Sequence, residues 1–267
     1  MWNAKLYDTF SKERIQPSID LANRIDQLCV RILDVGCGSG MSTLALRKRF
    51  PEAEIVGVDL SADMLENAKK LLPDVKWIQR DCSESLVDLG QFDLVFSNAF
   101  LQWLSDQENF IKNIRKCIKE NGILALQIPN FETMPIAGII KEVAREFDTS
   151  GDIFATLHDN CYNHSLITYY NMMSRYYSNV EVWQTNYMHQ MDNSDAVVEF
   201  VKSTALIPYL ERLSELQEKE FLGQLKKRTA EYYKPCENGK VLFPFERIFV
   251  HGLNSTSGDR DIHEKMV

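Results

Sequence analysis

Between positions 31 and 128 short apolar runs alternate with stretches of helical periodicity, which predicts strands over 31–35, 54–59, 75–79, 92–97 and 122–128 and helices over 41–50, 62–72 and 105–119. Strand and helix taking turns implies a parallel sheet joined by right-handed crossovers. Phe92-Asp93-Leu94-Val95-Phe96-Ser97 is a nearly continuous apolar run, as expected of a central strand covered on both faces, and Pro129 stops the fifth strand. Ahead of this core lies an aromatic leader, residues 1–29, with Trp2, Tyr7 and Phe10 and with Ile19, Leu21, Ala22 and Ile25 at roughly helical spacing. It reads as a lid over the carboxyl edge of the sheet; its Ile19 to Ile25 part suits a helix packed on the sheet equally well.

Beyond Pro129 the alternation lapses. A helix is predicted over 133–147, a loop at Ser150-Gly151-Asp152, a helix from Tyr169 to Tyr177 and a strand from Val180 to Tyr187. Ser194 caps a helix reaching Ala205, which Pro208 breaks, and Ser214 with Gln217 has the spacing of a capping box for another helix that Pro235 and Gly239 end. Lys240 to Val250 returns to strand. The expected class is α/β: a doubly wound, mostly parallel seven-stranded sheet with a helical cap insertion. Residues 30–130 form its core, completed by 165–191 and 240–253, while 131–164 and 192–239 form a cap over the substrate side and 254–267 a polar tail.

The first strand breaks into Asp34-Val35-Gly36-Cys37-Gly38-Ser39-Gly40, with three glycines at alternate positions ahead of a helix. Glycine tolerates positive φ and lacks a Cβ, so such a turn bends sharply and admits a ligand against backbone. A dinucleotide fingerprint needs its third glycine at position 41, which is Met41. Asp34 is also unwelcome beside a pyrophosphate but suits turn amides or, through water, a ligand amine. The second strand ends at Asp59, 23 positions after Gly36, where a carboxylate can take both ribose hydroxyls. Asp81-Cys82 follows the third strand, where the acid can accept from an adenine amino group. These residues read a nucleoside without phosphate.

The glycine pattern resembles that of class I S-adenosylmethionine-dependent methyltransferases. The resemblance implies a cofactor set of Asp34, Gly36, Cys37, Gly38, Gly40, Asp59, Leu60, Met64, Asp81, Cys82, Asn98, Ala99 and Trp103, with S-adenosylhomocysteine as product. Methyl transfer from a sulfonium disperses charge, so a dry aromatic wall favours it. Trp103, Phe100, Tyr7 and Phe10 could supply one, although for each taken singly core packing is the plainer explanation.

Trp2-Asn3, Tyr7, Phe10, Arg14, Pro17 and Asp20-Leu21, then Ser42-Thr43, Leu101-Gln102-Trp103-Leu104, Tyr187 to Met191 and Asn238 to Phe245 resemble the trans-aconitate 2-methyltransferase family over nearly the whole chain. Membership implies O-methylation of a carboxylate. Such an acceptor is already ionised at neutral pH and needs no general base, so no catalytic residue is assigned; Trp103, Tyr7 and Arg14 would position it. Tyr7, Phe10, Arg14, Gln102 and Arg247 are the candidate substrate contacts. Two departures remove cations: Ala205-Leu206-Ile207-Pro208 stands where the family commonly has Gly-Leu-Arg-Pro, and Glu246-Arg247 where it often has paired arginines. An acid with fewer charges than aconitate is the resulting expectation. A hydroxyl, amine or carrier-bound acceptor, or a silent cofactor-binding partner, stands as the alternative.

Composition narrows this further. A net charge of −8 argues against nucleic acid or an anionic membrane as partner. Six scattered cysteines form no C-x-x-C pair and have no histidine at ligand spacing, so neither a disulfide framework nor a metal site is expected. His158, His164 and His189 receive no role. The expectation is a soluble cytoplasmic protein acting on a small molecule, monomeric or a small homo-oligomer.

Overall fold

The computed structural model describes residues 11–154 and 161–255, with the backbone alone for 11–14. Helix α1 (Ser11–Asn23) leads into β1 (Arg31–Val35), α2 (Met41–Arg49), β2 (Glu54–Asp59), α3 (Ala62–Leu71), β3 (Lys76–Gln79), β4 (Phe92–Asn98), α4 (Gln107–Ile114) and β5 (Ile118–Pro129). There follow α5 (Pro135–Phe147), α6 (Leu166–Ser174), β6 (Ser178–Met191), α7 (Ser194–Lys202), α8 (Ile207–Leu210), α9 (Glu215–Tyr232) and β7 (Val241–Asn254). The seven strands form one sheet in the order β3-β2-β1-β4-β5-β7-β6. β1 to β5 are parallel and β7 is antiparallel to β5.

The chain divides into two compact units. One holds residues 15–129, 161–185 and 247–255; the other holds 11–14, 130–154 and 186–246. In the first, Leu33, Val35, Val56, Val58, Val95, Leu124 and Leu126 build the apolar centre of the sheet, with Tyr169, Met173 and Tyr177 packed in the same cluster. Helix starts follow the local chemistry: Ser61, Asp106 and Ser165 each accept the N–H three residues on, at Met64, Asn109 and Thr168. In the second unit Ser214 and Gln217 form the expected capping box of α9.

Several expected boundaries are corrected. The helix predicted over 105–119 ends at Ile114; after one 3₁₀ turn, β5 begins at Ile118, because buried Ile118 pairs with Phe92 and Lys119 reaches Asp93 at 2.8 Å. The helix expected from Tyr169 starts at Leu166, capped by Ser165. β6 and β7 extend well past their predicted ends.

The second unit packs α5, α7 and α9 around Ile136, Val143, Val197, Phe200, Phe221 and Phe243. Phe221 is fully buried with edge contacts to Phe147 and Phe154 and a stacked contact to Tyr209. Removing that ring leaves a cavity that rigid neighbours fill only in part. Phe221→Ala is therefore expected to cost about 3–5 kcal/mol in chemical denaturation, where an exposed helix position would cost under about 0.5 kcal/mol.

Candidate functional site: the glycine-rich turn and the carboxyl edge of the sheet

The turn after β1 is held from several sides. The Gly36 and Cys37 amides both donate to the Val58 carbonyl, at 2.9 and 3.1 Å, and the Gly38 amide donates to Asp59 Oδ2 at 2.8 Å. Gly36, Gly38 and Gly40 all have positive φ (70°, 52° and 87°), a region that penalises any Cβ. Yet they make room for different things. A Cβ on Gly36 would lie 2.5 Å from Phe100 and one on Gly40 about 3.1 Å from Trp77, whereas one on Gly38 would meet nothing within 4 Å. Open space beside the backbone is thus found at Gly38, while Gly36 and Gly40 admit the protein's own side chains.

Asp34 is fully buried, and of the two partners expected for it, turn amides or a ligand amine through water, the turn amides give way to hydroxyls. Its Oδ2 accepts the hydroxyls of Ser42 at 2.8 Å and Thr43 at 2.6 Å, both from the first turn of α2, and no turn amide. The hydroxyls of Ser42 and Thr43, two and three residues past Gly40, reach back to the carboxylate on β1, whereas the Gly36, Cys37 and Gly38 amides are already committed to β2. Burial pushes the carboxyl up to about 6, against the Thr43 and Ser42 hydroxyls, which hold it down.

Asp59 also accepts the Ser61 amide through Oδ1, at 2.9 Å. Each of its oxygens keeps a lone pair for a further donor. Asp81 accepts the Ser83 hydroxyl and amide through Oδ1, which lowers its pKa and keeps it ionised. Cys37 and Cys82 are buried, and burial raises both thiols, so they act as packing. Leu60 is exposed and Met64 half-buried.

At the end of β4, Asn98 is half-buried and Ala99 takes φ 57°, a strained value for a residue with a Cβ. The Ala99 amide donates to the Gln127 carbonyl at 2.9 Å, and Gln102 Nε2 donates to the Ala99 carbonyl at 2.7 Å. Gln102, expected to meet substrate, is buried and braces this turn. Trp103 is 48 % exposed and so serves no core. Arg247, on β7 opposite Pro129, is buried at 6 % exposure. Tyr7 and Phe10 lie outside the described residues, as does the side chain of Arg14. One residue escaped the sequence reading: Gln127, in register with Asn98, the one amide inside the apolar run Ile123 to Ile128. That lone polar position was the available signal.

The arrangement suits a nucleoside carrying a charged amino acid. The turn has open space at Gly38, Asp59 sits on the Gly38 amide, Asp81 follows the neighbouring strand β3, and no Lys or Arg lies between Gly36 and Leu46 to meet a phosphate. A family model described as a methyltransferase domain matches residues 32–122. Among solved structures, the YcgJ protein of Bacillus subtilis aligns with a TM-score of 0.58 at 16% identity over 90% of this chain and 98% of that one. Phosphoethanolamine N-methyltransferase 2 of Haemonchus contortus, solved in complex with S-adenosyl-L-methionine, aligns with a TM-score of 0.54 at 16% identity over 88% of this chain and 52% of that one. Fold and site define a class I S-adenosylmethionine-dependent methyltransferase. The trans-aconitate 2-methyltransferase of Afipia carboxidovorans is 35% identical over 250 residues, 93% of this chain and 97% of that protein. The chain belongs to the trans-aconitate 2-methyltransferase family.

Asp34 makes a pH-dependent prediction. An acid whose folded pKa is raised binds its proton more tightly in the folded state, so its ionisation above about pH 6 costs stability that is regained as pH falls towards 4. Asp34→Asn keeps an oxygen for the two hydroxyls without the charge. In denaturation titrations the variant should exceed wild type by roughly 1–3 kcal/mol at pH 7.5, with the gap closing by pH 4. An equal gap at both pH values would mean that Asp34 is not the titrating group.

Proposed function

We propose that this methyltransferase esterifies a carboxylate of a small organic acid. The observation that carries the reading is the buried guanidinium of Arg247, presented at the carboxyl edge of the sheet in a chain whose curated relatives are named for a carboxylic acid. A planar guanidinium pairs with carboxylate bidentately and fixes its orientation. S-adenosylmethionine, when bound, supplies a methyl group on a sulfonium cation. In this reading Asp59 receives the ribose hydroxyls and Asp81 the adenine amino group, while the Gly38 face and Asn98 hold the amino acid end. A carboxylate oxygen of the acceptor forms the new C–O bond as the S–C bond breaks, and the negative and positive charges vanish together. No proton moves, so no base is required. Arg247 and the Trp103 side then position the acid and exclude water.

The departures from the family pattern support an acid with fewer charges than aconitate. Ile207 begins the short helix α8 with an apolar side chain. The Glu246 carboxylate accepts from the Asn130 amide and, at 2.9 Å, from the Thr133 hydroxyl, neutral donors that occupy it locally.

Three measurements test the proposal. Release of S-adenosylhomocysteine should be seen with mono- or dicarboxylic acids in preference to trans-aconitate; efficient turnover of trans-aconitate would overturn the argument from missing cations, and turnover of amines or alcohols alone would overturn the carboxylate. Arg247→Ala should lower kcat/KM by roughly thirty- to several-thousandfold while sparing cofactor affinity. Asp59→Ala should weaken binding of S-adenosylmethionine by about 1–3 kcal/mol, ten- to a hundredfold, in calorimetric titration. Equal affinity would remove Asp59 from the site.

A further inference from the structure

We propose that Gln127 is a specificity residue whose side-chain amide donates to the acceptor's carboxylate beside Arg247, doing with a neutral group what a second cation does at a more highly charged acid. The inference rests on the carboxylate reading above. Gln127 lies in the middle strands of the sheet, 1 % exposed, and neither its Oε1 nor its Nε2 has a hydrogen-bonding partner among the described residues. A buried amide with nothing to pair costs more than the bond it forgoes, and a methionine would fill nearly the same volume without that cost. A glutamine kept there has a use in the working complex.

Register says where that use lies. Asn98 stands opposite Gln127, Gln127 opposite Phe249 and Pro129 opposite Arg247, so Asn98, Gln127 and Arg247 share one face of the sheet across β4, β5 and β7. Asp34 stands opposite Phe96, which puts the glycine turn at the head of the same row. At about 4.8 Å between strands, Gln127 is one strand past Asn98 and about 10 Å from the turn. Ligands of open α/β sheets sit where the strand order reverses, here between β1 and β4. The row therefore runs from the cofactor turn through Asn98 to Gln127 and on to Phe249, with Arg247 two residues along β7 on the same face, diagonal to Gln127 and nearer the carboxyl edge, and the acceptor belongs at that corner. The Asn98 Oδ1 is likewise buried without a partner among the described residues, as expected of a group on the same line. An amide N–H can bond a carboxylate oxygen without adding charge, which fits a chain with Ile207 in place of a family arginine.

The test uses the full-length protein, the best acid from the acceptor screen, and S-adenosylhomocysteine as binding probe. Gln127→Met should raise KM for the acid roughly ten- to a hundredfold, leave S-adenosylhomocysteine affinity unchanged in calorimetry, and melt at or above the wild-type temperature. Gln127→Glu should raise KM further at pH 8, and the increase should shrink as the pH is lowered and the glutamic acid regains a proton to donate; loss of packing alone would not produce that recovery. If both variants turn over the acid with wild-type KM at every pH, the inference falls and the carboxylate reading stands. If no acid is turned over and amines or alcohols are, both fall together.

Discussion

The chain must leave β1, turn through five residues and enter α2 without stranding the polar groups it uncovers. Everything at the site follows from how that turn is closed. Two of its amides are spent on Val58 and a third on Asp59, so the turn is bolted to β2; Ser42 and Thr43 bolt the first turn of α2 to Asp34. Because Gly40, the residue capping α2, has no side chain to offer, the first amides of the helix receive no side-chain cap, and no acid stands in the first turn. The turn is rigid where it meets protein and open at Gly38. This division lets one short segment serve as a structural joint and still leave open backbone at Gly38.

Much of this was legible because it depends on local chemistry. Alternating apolar runs and helical segments suffice to order five parallel strands, and glycine at positive φ can be read from its spacing. Asp59 and Asp81 stand at strand ends, where pattern alone locates them. The role of Asp34 was not legible, since its partners depend on α2 folding back over β1, a relation that no spacing rule contains. Nor was the division of labour among the glycines: Gly36 is small because of Phe100, a residue 64 positions away that β4 delivers.

The later part of the chain reads less well for a similar reason. The capping box of α9 was found, but α7 is capped by Asn193, not Ser194, and ends at Lys202, not Ala205, and the extents of β6 and β7 were underestimated because 14-residue strands with mixed patterning advertise only their middles. Glu246 shows the limit most clearly. From sequence it is an anion beside an arginine; in the structure its backbone carbonyl takes the Asn130 amide at 2.9 Å and its carboxylate takes neutral donors from the same turn. Whether a charge serves a ligand or the fold is decided by neighbours distant in sequence.

The departures from good local rules are concentrated. A carboxyl raised by burial, a non-glycine residue at φ 57°, a half-buried asparagine and a fully buried glutamine with unpaired polar atoms fall on the ends of β1, β4 and β5, within a few residues of one edge. Elsewhere in the first unit the same strands are filled with Leu, Val, Ile and Phe. A chain under no demand but stability would replace the unpaired amides and the strained alanine, since such replacements tend to gain stability, and would keep Asp34 only for its grip on Ser42 and Thr43. Their clustering at one edge is what a site selected for binding leaves behind, because groups meant to pair with a ligand are costly until the ligand is present. Asn98, Gln127 and Arg247 thus lie on the sheet face that Asp34 shares, next to the glycine turn, although no sequence motif joins them.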